Sequence, residues 1–155
     1  PEGPTAGDSP RMKLCVNLFC RNIDAQLAFY QALLGLPEAV HSRSPIYRAI
    51  ETEQFQFGFH APPAYGLLSL GDRTPEPKSA APVTGYATFM LDTPAEVDHA
   101  ARHVVTLGGR VVKAPYASYY HQWQAVLADP EDHVFRVSTL GLPPGVTAPA
   151  LPTGA

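Results

Sequence analysis

The sequence predicts an α+β protein: two βαβββ modules, each a curved sheet backed by a helix, set around a ligand cleft and paired as a dimer. Three observations predict it. An alternating apolar strand, an amphipathic helix ending in Leu-Gly, and further strand-like sequence follow one another in that order twice. The two tellings start at Leu14-Cys15-Val16-Asn17-Leu18-Phe19-Cys20 and at Tyr86-Ala87-Thr88-Phe89-Met90-Leu91. A proline-rich polar stretch separates them, long enough to let the second module swing over to the first. A cleft between curved sheets is a natural place for a small molecule. The expected organisation is an N-terminal arm over 1–12, a first module over 13–60, a linker over 61–83, a second module over 84–139 and a Pro-rich tail over 140–155.

Each element has a local reason. Residues 13–20 alternate and favour a strand. Asn22 can cap the next helix, because its side chain can accept from a free backbone N–H. Ile23, Leu27, Tyr30 and Leu34 then form one apolar stripe at helical spacing. Gly35 supplies a left-handed stop and Pro37 forbids continuation. Three short strands are expected at 38–42, 46–52 and 54–60. The linker carries a candidate short strand at Gly66 to Leu70. Thr93-Pro94-Ala95-Glu96 joins a capping hydroxyl, a proline at the first helical position and a capping-box glutamate. Val97, Ala101, Val104 and Val105 form the expected buried face of that helix, and Gly108-Gly109 stops it. Strands fit at 110–115, 121–128 and 133–139, the last opened by the Asp129-Pro130 turn.

Composition narrows the function classes. One hundred and fifty-five residues suit one domain or two small modules sharing a core. A net charge of −3 gives no electrostatic reason to expect nucleic acid. No apolar run approaches the roughly 20 residues a membrane span needs. Cys15 and Cys20 lie on one expected strand, roughly 16 Å apart, too far for a disulfide. Reduced thiols fit a cytoplasmic protein. There is no glycine-rich phosphate loop, no Ser-His-Asp motif and no basic patch.

The stretch Asn22-Ile23-Asp24-Ala25-Gln26-Leu27-Ala28-Phe29-Tyr30-Gln31-Ala32-Leu33-Leu34-Gly35-Leu36, Leu107-Gly108-Gly109 and the Asp129-Pro130 turn fall in the order and spacing of a known family. The repeat resembles the vicinal oxygen chelate superfamily of glyoxalases, bleomycin-resistance proteins and extradiol dioxygenases, over roughly residues 13–139. In metal-using members the resemblance implies a His or Gln on the first strand, a His opening the second module and glutamates near the ends of the last strands. Aligned by motif, those places hold Cys15, Tyr86, Gly58 and Arg136. A divalent cation wants imidazole and carboxylate. Glycine offers no side chain, arginine stays cationic, and tyrosine holds its proton to pH near 10. No metal and no cofactor are therefore expected.

Arg136 can instead hold a carboxylate, phosphate or other anion by paired hydrogen bonds. The alternative is an ion pair with Glu51 or Glu53. If the family register holds, Cys15, Asn17 and Phe19 line the cleft from the first strand, Phe57 from the last strand of module one, and Tyr86 and Thr88 from module two. Tyr116, Tyr119, Tyr120 and Trp123 form an aromatic patch beside His121, from which Tyr120 and Trp123 are candidate ligand contacts. Large rings with one polar tip suit an aromatic ligand, and equally a dimer interface. His121, His60 and Cys15 are the candidates for catalysis. His99 and His103, one helical turn apart, lack a third ligand in register and read as a solvent-facing pair. His133 reads as an exposed turn residue. Cys15 is either a reactive thiol near Arg136 or a small buried strand residue.

The resulting expectation is a metal-independent small-molecule-binding protein of the glyoxalase/bleomycin-resistance-like type. It holds an aromatic or amphipathic compound, an anion among the options, in a cleft between modules of a cytoplasmic homodimer. The alternative is a lyase, isomerase or oxygenase of the same superfamily with displaced metal ligands or none. A third option is an assembly role for the linker and tail.

Overall fold

The computed structural model describes residues 12–77 and 80–153. The first half contains β1 (Leu14–Phe19), α1 (Ile23–Leu34), β2 (Tyr47–Glu51) and β3 (Phe55–His60). A short helix α2 (Ala64–Leu67) follows. The second half contains β4 (Ala87–Leu91), α3 (Pro94–Thr106), β5 (Arg110–Ala117), β6 (Gln122–Ala128) and β7 (Val134–Leu140). One sheet has the order β1-β3-β2 and the other β4-β7-β6-β5. In each, the strand before the helix runs parallel to the last strand of its half. This is the expected α+β duplication.

Two local expectations are corrected. The strand expected at 38–42 does not form. The Ala39 amide donates to Ala49 at 2.8 Å and the Glu51 amide to Pro37 at 3.2 Å. The chain then coils into a 3₁₀ turn over Val40–Ser42, because the Ser42 and Arg43 amides turn back onto Ala39 and Val40. Those i→i+3 bonds consume the donors that a longer ladder would use. The strand expected at Gly66 to Leu70 is instead α2 and a following turn. Pro62-Pro63 fits a helix start, and the Leu68 amide donates to Ala64.

The helix caps form as their sequences dictate. Asn22 Oδ1 accepts from the Ala25 amide at 3.0 Å, and Gly35 ends α1 at φ 67°. Thr93 accepts from the Glu96 amide, while the Glu96 carboxylate accepts from the Asp92 amide one residue before the cap. The buried face of α3 is Val97, Ala100, Ala101 and Val104. Val105 stands 59% exposed, one position past that stripe.

Both sheets turn their helix-bearing faces toward one shared core. Tyr30, fully buried, has its ring centroid 5.1 Å from Phe57, 5.2 Å from Phe59, 5.4 Å from Phe135 and 6.3 Å from Phe89. Two residues from each sheet therefore pack against the same helix. Edge-to-face and offset contacts such as these add to the burial of large rings.

A polar knot ties the halves together beside that core. Asp129, 3% exposed at the turn between β6 and β7, accepts from Tyr30 Oη at 2.8 Å and from Gln26 Nε2 at 2.8 Å, both on α1. The Glu131 carboxylate accepts from the Arg21 and Asn22 amides at the start of that helix. His133 is half-buried against Asp129 and Phe19, not exposed as the turn suggested. The knot fixes the end of β1, which carries the candidates Cys15, Asn17 and Phe19.

Candidate functional site

Strand parity separates the candidates into two groups. On the first sheet, Cys15, Asn17 and Phe19 lie beside Gln56, Gly58 and His60, which lie beside Glu51, Ala49 and Tyr47. This face looks away from the shared core. Its centre is a hydrogen-bonded array: Tyr47 Oη donates to Asn17 Oδ1 at 2.6 Å and accepts from Gln56 Nε2 at 3.1 Å. The Tyr47 ring lies over Gly58, and a Cβ at Gly58 would collide with its hydroxyl. Phe19 stacks on Tyr65 with centroids 3.9 Å apart. His60 packs against Tyr47, and burial holds its pKa below the ordinary histidine value. Cys15 is exposed and Cys20 buried; both are free thiols.

On the second sheet the outward face carries Thr88 and Met90, then Arg136 and Ser138, then Gln124, Val126 and Lys113. Arg136 donates from Nε to Thr88 Oγ1 at 3.1 Å and from Nη1 to Tyr120 Oη at 2.9 Å and Gln124 Oε1 at 3.2 Å. Its guanidinium carbon lies 5.2 Å from the Tyr86 ring centroid. Gln124 is 1% exposed and organises the group, accepting from Tyr116 Oη at 2.7 Å and donating to Ser138 Oγ at 3.2 Å. Lys113 Nζ sits 3.7 Å from the Tyr116 ring centroid. Among the described residues no carboxylate lies within ion-pair distance of Arg136 or Lys113. Glu51 is spent on Lys13 at 2.7 Å, so the ion pair weighed from the sequence does not form. This face therefore holds two cations surrounded by neutral oxygens, amides and rings.

Between the halves runs a cavity of about 1030 Å³. Leu14, Val16 and Leu18 of the edge strand β1 and residues 86–91 along the edge strand β4 form its sides, with Phe55 and Phe57 in its wall. Tyr86 and Thr88 belong both to this lining and to the surroundings of Arg136.

The structure thus gathers Tyr86, Thr88, Tyr120 and Arg136 at one place, and Cys15, Asn17, Phe19 and His60 at another. Phe57 is a core residue, 3% exposed, that reaches the cavity wall. Trp123 is not in either group: it has the opposite parity, and its indole Nε1 donates to Asp98 on α3 at 2.8 Å. His121 is exposed in the turn between β5 and β6 at φ 64°. Tyr47, Gln56, Gln124 and Ser138 went unnoticed in the sequence. Parity could have found Gln124 and Ser138, since both share the face of Arg136 once the hairpin register is known.

Two polar sheet faces flank a groove between two related α+β halves, and the candidate residues lie along them. The chain belongs to the glyoxalase-like family, whose model matches residues 13–138, within the vicinal oxygen chelate superfamily. A glyoxalase/bleomycin resistance protein/dioxygenase family enzyme from Burkholderia phytofirmans PsJN is 38% identical, with 81% of this chain and 96% of that chain covered and a TM-score of 0.74. A glyoxalase-related enzyme from Fulvimarina pelagi (16% identity, 83% and 88% coverage, TM-score 0.64) shares the fold. So does a lactoylglutathione lyase from Agrobacterium tumefaciens (21% identity, 84% and 95% coverage, TM-score 0.61). A comparison with proteins of curated function finds no match.

The metal used by part of this superfamily does not fit the residues present. Of the four motif positions, Gly58 has no donor and the space above it is taken by the Tyr47 hydroxyl. Arg136 brings a positive charge where a carboxylate would be needed. Among the described residues no three His, Cys, Asp or Glu side chains gather as a metal would require. His60, His121 and Cys15 in particular do not form such a group.

Proposed function

We propose that the protein is a metal-independent small-molecule-binding member of the glyoxalase-like family that holds an anionic compound beside Arg136, in the cleft between its halves. One observation carries this reading: a half-buried guanidinium with no carboxylate partner among the described residues. A cation taken partly out of water is costly unless something compensates it. Thr88, Tyr120 and Gln124 offer dipoles but no charge, so an incoming anion completes the site. Tyr120 and Gln124 then orient the guanidinium, while Tyr86 offers a flat ring to an aromatic body. Asn17 and Phe19 lie on the other sheet's face and outside the cavity lining, so this reading does not use them.

The homodimer of this reading is supported by large apolar side chains left on surfaces away from the groove, Val112 and Leu140 among them. Sedimentation velocity tests it. Among the described residues no helix is long and apolar enough to cross a membrane. A cytoplasmic site of action accords with the two free thiols.

Calorimetric titration with benzoate and benzamide tests the site. Benzoate binds and benzamide does not, and Arg136→Gln removes benzoate binding while leaving the circular dichroism spectrum unchanged. Equal binding of both compounds to both proteins rejects the reading. A second reading, an enzyme, is favoured by the description of the Burkholderia relative as a family enzyme. Elemental mass spectrometry after exposure to Mn, Fe, Co, Ni and Zn separates the two. One tightly held ion per chain would make an enzyme with relocated ligands the better account.

A further inference from the structure

Resting on the assignment of Arg136 as an anion holder, we infer that the ligand is a long-bodied amphipathic anion. Its charged head sits at Arg136 and Tyr120, and its apolar body lies in the groove between β1 and β4.

Three observations combine. The groove is large, about 1030 Å³, at the upper end of what a drug-sized ligand fills. Leu14, Val16, Phe55, Phe57, Phe89 and Met90 line it. Several of these lie open to solvent in the single chain: Leu14 is 62% exposed and Met90 51%. Apolar surface of this kind, concave and continuous, marks a binding site more often than chance exposure does.

The groove is also joined to the cation. Thr88 lines it and accepts from Arg136 Nε; Tyr86 lines it and carries the guanidinium over its ring. An occupant of the groove therefore ends beside Arg136. A head group meets real donors there. Arg136 spends Nε and Nη1 on neutral partners, and among the described residues nothing accepts from Nη2. Tyr120 Oη accepts from both Arg136 Nη1 and Gln124 Nε2. Its own proton competes with Tyr116 and Arg136 for Gln124 Oε1. An amide oxygen has two lone pairs for these three donors. The Tyr120 proton is thus the one best released to a ligand oxygen. A carboxylate accepting from Arg136 Nη2 and Tyr120 Oη relieves the shortage and neutralises the charge.

The test titrates the full chain with butanoate, octanoate and dodecanoate, each below its critical micelle concentration, and with dodecanol, using calorimetry. Affinity should rise with each buried methylene by roughly fourfold, until the groove is full. Arg136→Gln should weaken dodecanoate by about tenfold or more and leave dodecanol unchanged. Met90→Glu, which puts charge on the groove wall away from the head site, should weaken dodecanoate far more than butanoate. Arg136-dependent binding of benzoate and butanoate with no gain for longer chains overturns the amphipathic ligand and leaves the anion site standing. Loss of Arg136 dependence for every carboxylate overturns both. If Met90→Glu changes the sedimentation coefficient but not dodecanoate affinity, the groove is covered by a second copy of the chain and the inference fails.

Discussion

The imidazole Nε2 of His133, in the turn before the last strand, lies 2.9 Å from the carbonyl oxygen of Phe19 at the end of the first strand. Its Nδ1 lies 2.9 Å from Asp129 Oδ2. Both ring nitrogens thus face acceptors. A neutral imidazole has only one N–H to give, so this geometry selects the imidazolium. Burial opposes the charge, but the hydrogen bond and charge of Asp129 and the Phe19 carbonyl outweigh it and hold the His133 pKa above its ordinary 6.5. For Asp129 burial raises the pKa, yet His133, Gln26 and Tyr30 together hold it below 3.8.

The pH dependence of stability follows from the two signs. The His133 contribution is fully present below pH 6.5 and is lost as pH rises through its higher folded value. The Asp129 contribution is present above pH 3.8 and is lost as pH falls through its lower folded value. The melting temperature should therefore hold a plateau between those two ordinary values and fall as pH rises from the plateau toward alkaline conditions. His133→Gln should flatten the alkaline fall. Differential scanning calorimetry of both proteins across pH checks it; parallel curves above neutrality would show that His133 carries no charge.

Asp129 is the centre of the knot, so its removal should be severe. Asp129→Ala strands the Tyr30 hydroxyl, the Gln26 amide and the His133 cation in a buried place. Breaking a buried pair by removing one partner costs about 3–5 kcal/mol. Tyr30→Phe removes one charge-assisted bond and should cost about 1.5–3 kcal/mol. Urea unfolding with unchanged m-values measures both, and a smaller loss for Asp129→Ala than for Tyr30→Phe would contradict this account.

Two glycines permit close approach and should respond differently to alanine. At Gly109 a Cβ would stand 2.5 Å from the Ala128 carbonyl oxygen and 2.8 Å from Val104 Cγ2. The carbonyl belongs to β6 and cannot yield cheaply, so overpacking of at least about 1–3 kcal/mol is expected. At Gly58 the obstacles are the Tyr47 side chain and Asn17 Oδ1, both side-chain groups that can swing away by giving up their mutual bond. Gly109→Ala should cost more than Gly58→Ala. In a double-mutant cycle, Tyr47→Ala should remove part of the Gly58→Ala penalty, the remainder being the displacement of Asn17 Oδ1.

The two thiols should be chemically distinct. Burial, followed by the charges of Glu131 and Asp129, pushes the Cys20 thiol up to about 12, whereas Cys15 is exposed. The thiolate is the reactive species. An Ellman titration of the folded protein should count Cys15 alone and reach both cysteines only after denaturation. Rapid reaction of both in the native state would place Cys20 at the surface.

What was legible in the sequence was what local chemistry decides. Asn22, Gly35, Thr93 and Pro94 act on their own neighbours, so both long helices could be read with their ends. The duplicated order of elements needed only pattern. The strand expected at 38–42 is cut short because the Ser42 and Arg43 amides close a 3₁₀ turn instead of extending the ladder. Trp123 and Tyr120 are close in sequence, but β6 begins between them, and strand parity sends Trp123 to the helix side. Asp129 read as a turn residue because its partners Tyr30 and Gln26 stand 99 and 103 residues away. A glutamine in the middle of an apolar helical stripe was the available hint, since a buried amide must find a partner. Gln124 is silent for the same reason: its significance lies in four side chains, Tyr116, Tyr120, Arg136 and Ser138, that meet only after the sheet forms.

The knot around Asp129 is also a break in the duplication. The second half reaches into the first through its last turn, gripping Tyr30, Gln26 and the backbone at Arg21 and Asn22. The matching turn of the first half, Thr52 to Gln54, bonds among the described residues only within its own half, to itself, to Phe55 and to the Leu14 amide. Two halves that began with one pattern have become a brace and a braced part. Identical copies of either half could not reproduce this joint, because each would bring the same side of it.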